Sequence, residues 1–246
     1  MKLNCDLGEG FGCWQKGLDA EIMPFIDYAN IACGFHASDP LTMRKTVKLA
    51  KANNVGIGAH PGYADLIGFG RRSIAYPADE LIAIIQYQIG ALQALCENED
   101  TCVSYVKPHG ALYNDMMRDL NIFTLVCQAI SALKYPLPLM IQALPNTSAF
   151  KTIAEQYGVP LWFEAFADRH YQDNGLLTPR SNANAVIENE DEVLARCRLL
   201  IDKQQLLSEN NQNIALQVDT LCVHGDNPQA VALVKQLRAL IDDMYK

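Results

Sequence analysis

Short apolar runs alternate with longer amphipathic stretches along the whole chain, which predicts a repeating strand–helix pattern. The strand candidates are Lys2–Asp6, Tyr28–Cys33, Val55–Ala59, Val103–Lys107, Leu137–Ala143, Pro160–Ala165 and Ala215–Val223. Each is short and bounded by Gly, Pro, Asn or Asp. Helices are predicted between them. Asp39 caps one that Pro40 opens and that runs to Asn53. Pro77 opens another, with Ile82, Ile85 and Ile89 at helical spacing, ending near Glu97. Asp119–Leu133, Thr147–Tyr157, Glu190–Leu207 and Pro228–Met244 complete the set. Strands alternating with helices imply parallel βα units, and about seven of them predict an α/β fold. The expected form is a single distorted or incomplete (β/α) barrel spanning residues 1–246. A doubly wound open sheet is the alternative. Two connections, Pro61–Tyr76 and Phe166–Asn189, are longer than a minimal turn. Long ordered loops in compact domains are often binding loops.

In parallel α/β architectures, sites form at the carboxyl ends of the strands. Reading just past each predicted strand gives Asp6 and Glu9, then His36, His60, Lys107 with His109, Asp168 with Arg169, and His224 with Asp226. Four of the five histidines fall in these segments, beside Gly or Pro. Imidazole suits proton transfer near neutral pH and metal ligation. The convergence therefore predicts an active face, with His170 set aside as a surface residue. Asp6 and Glu9, three apart, suit a base with an orienting partner, or a metal ligand. Lys107, Arg71, Arg72, Arg169 and Arg180 are candidates for holding a carboxylate or phosphate. Asp219, an acid in an otherwise apolar run, is expected to be buried and hydrogen-bonded.

Composition narrows the function classes. The 246 residues carry 20 Lys+Arg and 28 Asp+Glu, a net charge of −8. An acidic chain without a basic tract is a poor nucleic-acid binder. No apolar run is long enough to span a membrane, and the start, with Asp6 and no apolar core, does not read as a secretory signal. The eight cysteines show no Cys-x-x-Cys pair. They read as reduced thiols in a cytoplasmic protein, with Cys5, Cys33 and Cys222 near the expected rim. There is no Gly-x-x-x-x-Gly-Lys-Ser/Thr loop and no Gly-x-Gly-x-x-Gly opening a helix. Gly8-Glu9-Gly10-Phe11-Gly12 is glycine-rich but lacks the lysine. The residues by themselves describe a site for a small anionic or amide-containing molecule. They leave open a component of a larger enzyme, a metal-dependent deacetylase or amidohydrolase acting alone, and a non-catalytic ligand-binding partner.

Seven segments carry a resemblance. They are Asn-Cys-Asp-Leu-Gly-Glu-Gly (4–10), Ala-Asn-Ile-Ala-Cys-Gly-Phe-His-Ala-Ser-Asp-Pro (29–40), Gly-Ala-His-Pro-Gly-Tyr (58–63), Gly-Phe-Gly-Arg-Arg (68–72), Val-Lys-Pro-His-Gly-Ala-Leu-Tyr (106–113), Glu-Ala-Phe-Ala-Asp-Arg (164–169) and Val-His-Gly-Asp-Asn-Pro (223–228). Together they resemble the LamB/YcsF family over almost the whole chain. Ser38 departs from the family pattern, standing where Gly is usual. The resemblance implies a barrel similar to the polysaccharide deacetylases. It also implies ATP-dependent opening of 5-oxoproline (pyroglutamate) to L-glutamate, in a complex with two further subunits, B and C. Mg²⁺ is expected to accompany ATP. Carried onto this chain, the catalytic set would be Asp6, His36, His60, Lys107, His109 and His224. Glu9, Arg71, Asp168, Arg169 and Asp226 would bind substrate or phosphate. Candidates for holding a metal are Asp6, His60 and Asp226.

Overall fold

A computed structural model describes residues 1–14, 16–180, 182–223 and 228–244, with Pro228 described by its backbone alone. Seven parallel strands close into a barrel in chain order. They are β1 (Lys2–Leu7), β2 (Tyr28–Ala32), β3 (Gly56–His60), β4 (Val103–Val106), β5 (Leu139–Gln142), β6 (Leu161–Phe166) and β9 (Thr220–Val223). Closure of β6 and β1 onto β9 decides against the open sheet. The thinnest seam lies between β4 and β5, where the ladder reduces to Val106 opposite Leu139.

The helices are α1 (Asp19–Ile22), α2 (Pro40–Ala52), α3 (Ala78–Glu97), α4 (Gly110–Arg118), α5 (Leu120–Ser131), α6 (Ser148–Gln156), α7 (Glu190–Lys203) and α8 (Pro228–Met244). Asp39 caps α2 as expected, accepting from the amides of Leu41 and Thr42. Two elements depart from the sequence expectation near the C-terminal end. The helix expected to reach Leu207 stops at Lys203, because Gln204 takes a left-handed φ of 53°. The chain then forms a hairpin of β7 (Gln205–Leu207) and β8 (Asn213–Ala215). The expected Ala215–Val223 run is thereby split. Asp219, expected inside, precedes β9, is exposed, and accepts the Phe163 amide at 2.8 Å.

The strands place their two faces in different surroundings. Leu3, Cys5, Leu7, Ala29, Ile31, Ile57, Ala59, Val106, Ala165, Leu221 and Val223 join one buried apolar cluster with the helices. The alternate positions contact one another across the barrel, and many of them are polar: Asn4, Asn30, Glu164 and Thr220 are fully or almost fully buried. Asn4 Nδ2 donates to Thr220 Oγ1 at 3.0 Å, and Asn30 Nδ2 donates to Asn4 Oδ1 at 2.8 Å. Gly58 leaves room for the Tyr105 ring: a Cβ there would lie 2.1 Å from it. Tyr28, Tyr105 and Trp162 pack together, edge-on or tilted, at the amino end of the interior. The apolar core thus lies outside the barrel wall, and the inside is a hydrogen-bonded polar column leading to the carboxyl ends of the strands.

Candidate active site

The top of that column holds charge. Asp6 closes the inward row of β1, and Lys107 follows β4. Lys107 is buried. Its ammonium lies 3.0 Å from Asp6 Oδ1, 3.1 Å from Glu164 Oε2 and 3.2 Å from Asn4 Oδ1. Burial works against the charge, but Asp6 and Glu164 outweigh it and hold the lysine pKa well above its usual value. Asn30 fixes the same Asp6 oxygen at 2.7 Å.

Three imidazoles stand beside Asp6. His60 ends β3, and the following turn is pinned from behind by Gln88 of α3, which bonds both the amide and the carbonyl of Gly62. His109 immediately precedes α4, with its amide on the Pro61 carbonyl. His36 lies in the β2–α2 connection, its ring parallel to that of His109 with centroids 3.7 Å apart. His60 Nδ1 bonds the Lys107 carbonyl at 2.6 Å, and His109 Nε2 bonds the Phe69 carbonyl at 2.9 Å. Phe69 and Gly70 both take left-handed φ values, 54° and 62°, which turn that carbonyl toward the ring. Glu9 Oε1 lies 3.6 Å from His36 Nε2 and 3.7 Å from His109 Nδ1. Burial pushes the pKa of His36 and of His109 well below the usual histidine value, so both rings are neutral at pH 7.

A cavity opens above this group. Asp6, Glu9, His60, Lys107 and His109 line its floor, and Arg71, Tyr113, Phe166, Arg169 and Arg180 line its wall. The two long loops supply the arginines. Asp65 and Arg72 form a close ion pair that clips the first loop, with Nε 3.0 Å from Oδ2. Arg169 is buried, and its guanidinium holds the carbonyls of Ala185 and Thr178, tying the second loop together. Burial lowers its pKa to about 10. Asp168 lines a neighbouring groove with Ile187 and Glu190 rather than the central cavity. His224 and Asp226 lie outside the described residues. His170 is half-buried beside another groove, away from the cavity.

Two members of the site stand outside the residues that the sequence pattern singles out. Glu164, the one charge in Leu-Trp-Phe-Glu-Ala-Phe, is fully buried and completes the Lys107 pair. Asn30 sits within an apolar run. An isolated polar residue on the inward row of a strand is the available signal in both cases. Cys5, Cys33 and Cys222 are buried. Burial pushes Cys33 up to about 12 and the other two well above the usual thiol value. They are thiols rather than thiolates at pH 7, which argues against nucleophilic roles. Ser38 takes a φ of 76°, the left-handed conformation in which glycine is most at ease.

The LamB/YcsF family model matches residues 1–245. The chain belongs to the LamB/YcsF family. A LamB/YcsF relative from Vibrio cholerae, named as a subunit of 5-oxoprolinase, is 54% identical over 243 residues, covering 99% of this chain and 98% of its own. A protein of the same name from Pseudomonas fluorescens is 51% identical over 243 residues, covering 99% and 97%. The crystal structure of a lactam utilization protein from Thermus thermophilus superposes with a TM-score of 0.90. That protein is 37% identical, and the match covers 99% of this chain and 96% of the other.

Proposed function

We propose that this chain is the barrel component of an ATP-dependent 5-oxoprolinase, working in the cytoplasm with subunits B and C and opening 5-oxoproline to L-glutamate. The observation that carries the reading is the barrel mouth itself: carboxylates, imidazoles and a buried ammonium form the floor of one cavity, under a rim of arginines. The names of the relatives and of the superposed structure support it.

The substrate is a five-membered lactam with one carboxylate. Its amide is a poor electrophile. Transfer of a phosphoryl group from ATP to the amide oxygen would make C5 attackable by water. Collapse of that adduct would break the C5–N bond, with the nitrogen taking up a proton, and leave an acyl phosphate that a second water hydrolyses to L-glutamate and phosphate. In this reading Arg71 and Arg180 bind the carboxylate or phosphate, because Lys107 is committed to Asp6 and Glu164. Asp6 or Glu9 orients the water, and His60 or His109 moves the proton. ATP enters as a substrate, and the sequence carries no Gly-x-x-x-x-Gly-Lys-Ser/Thr loop for it. Mg²⁺ prefers oxygen ligands, and Asp6 is already engaged by Lys107 while Glu9 faces two imidazoles and Lys16. The cluster does not fit it, and no step is assigned to a magnesium ion on this chain.

The test mixes the purified chain with subunits B and C, ATP, Mg²⁺ and 5-oxoproline, and measures glutamate and ADP. The chain alone is run in parallel. Glutamate formed only by the full mixture, and lost with His109→Ala in a correctly assembled complex, is the expected result. No glutamate from the full mixture, or full activity of His109→Ala, overturns the reading. Amide cleavage by the chain alone without ATP would instead favour a hydrolase that acts by itself.

A further inference from the structure

The hydrogen bonds of His60 and His109 place a proton on one nitrogen of each ring and leave a gap. The Lys107 and Phe69 carbonyls can only accept, so His60 carries its proton on Nδ1 and His109 carries its proton on Nε2. The nitrogens that remain are His60 Nε2 and His109 Nδ1. They face each other at 2.9 Å. Asp6 Oδ2 approaches the same His60 nitrogen at 3.3 Å, and Glu9 Oε1 lies 3.7 Å from the same His109 nitrogen. Two ring nitrogens and two carboxylate oxygens thus converge on one point. His36 adds to this. Its side chain is fully buried, its Nε2 lies 3.6 Å from Glu9 Oε1, and neither ring nitrogen makes a hydrogen bond among the described residues. A buried polar group left in that state costs about 1–3 kcal/mol.

We infer that His36, His60, His109 and Glu9 form a binding site for a divalent transition-metal ion of the zinc class. The donor atoms of these four residues all lie within 4.8 Å of one another. Ligands at about 2.0–2.2 Å from a tetrahedral zinc are separated by about 3.3–3.6 Å. The distances of 2.9, 3.6 and 3.7 Å between neighbouring donors bracket that separation. Three imidazoles with one carboxylate suit zinc and its neighbours and are a poor set for magnesium or calcium. The outer hydrogen bonds of His60 and His109 have the form that orients metal-bound histidines, each ring donating its far N–H to a backbone carbonyl. The site borders the cavity, since Glu9, His60 and His109 line it. An ion there would meet a carbonyl or phosphoryl oxygen of a bound ligand and act on it as a Lewis acid. The inference does not depend on the 5-oxoproline reading, because metal content and ring opening are measured separately.

The experiment uses the full chain. It is stripped with a chelator, loaded with Zn²⁺ or Co²⁺, dialysed, and assayed for metal by mass spectrometry. The visible spectrum of the Co²⁺ form is recorded. Wild type is expected to retain about one ion per chain with a spectrum of low coordination number. His60→Ala and His109→Ala are expected to weaken retention by more than about 100-fold, with circular dichroism of the stripped proteins unchanged. Should a variant fail to fold, the wild-type metal content and cobalt spectrum still decide. Wild-type chain that retains less than a tenth of an ion, a cobalt spectrum of six oxygen ligands, or retention unaffected in folded variants each overturns the inference. In that case the gap between the rings is filled by a proton alone.

Discussion

Replacing Lys107 by Met tests the polar column most directly. The substitution keeps the length of the side chain and removes the ammonium. It leaves Glu164, fully buried and 3.1 Å from the missing charge, and Asp6, 3.0 Å from it, without their shared cation. Removing one partner of a buried ion pair costs about 3–5 kcal/mol, because the other charge stays buried and unpaired. For a chain of this length each kcal/mol lowers the melting temperature by about 2–4 °C. Lys107→Met should therefore melt about 6–20 °C below wild type. The double variant Lys107→Met/Glu164→Gln removes the stranded carboxylate as well and should regain at least half of the loss. Urea denaturation of the four proteins of this cycle gives the coupling energy. A single variant that melts within about 2 °C of wild type, or a double variant less stable than either single one, would show that the pair is not the electrostatic centre of the barrel.

Three further outcomes are expected. Burial, opposed by the Gly8 amide, raises the Asp19 pKa to about 6 from a usual 3.8, so the folded state favours the protonated acid. Stability from this group is greatest below about pH 4, declines as pH rises through about 4–6, and at pH 8 is lower by up to about 3 kcal/mol. Asp19→Asn should stabilise the protein at pH 8 more than at pH 4.5 in urea titrations, and an equal effect at both would contradict the assignment. Gly70→Ala should weaken both the fold and the histidine cluster, because its Cβ would lie 2.6 Å from His36 Cβ and 2.9 Å from His109 Cδ2, at a φ of 62°. The left-handed backbone alone costs about 1–2 kcal/mol, read as a lowered urea midpoint. A thiol reagent should titrate Cys13 and Cys102 quickly in the native protein, since both are exposed and the other six cysteines are buried. All eight should react in denaturant, and fast reaction of Cys222 in native protein would refute the closed interior.

All seven barrel strands are legible in the sequence because each is an apolar run ending in a turn residue. Three histidines, His36, His60 and His109, are legible at or beyond strand ends because Gly or Pro stands near them, while His224 lies outside the described residues. The structure brings these three together. Other features are hidden for physical reasons. Helix α4 begins at Gly110, with a φ of 54°, directly after a proline-containing turn, and neither residue announces a helix. The β7–β8 hairpin is concealed because apolar spacing continues unbroken from α7 through Leu206 and Leu207, and a left-handed Gln204 stops the helix without Gly or Pro. The Lys107–Glu164 pair joins residues far apart in the chain, so only closure of the barrel reveals it.

The polar interior has a consequence for how such a sequence can change over time. The outward strand residues pack against helices as separate apolar contacts, so a Leu3 or an Ile31 can be exchanged one at a time for a residue of similar volume. Asn4, Asn30, Asp6, Lys107 and Glu164 share hydrogen bonds and one balance of charge. A change at any one of them alters the requirement on the others. Drift on the outer face is therefore free to proceed in single steps, whereas the inner column can move to a new solution only through linked substitutions, with a less stable chain as the intermediate.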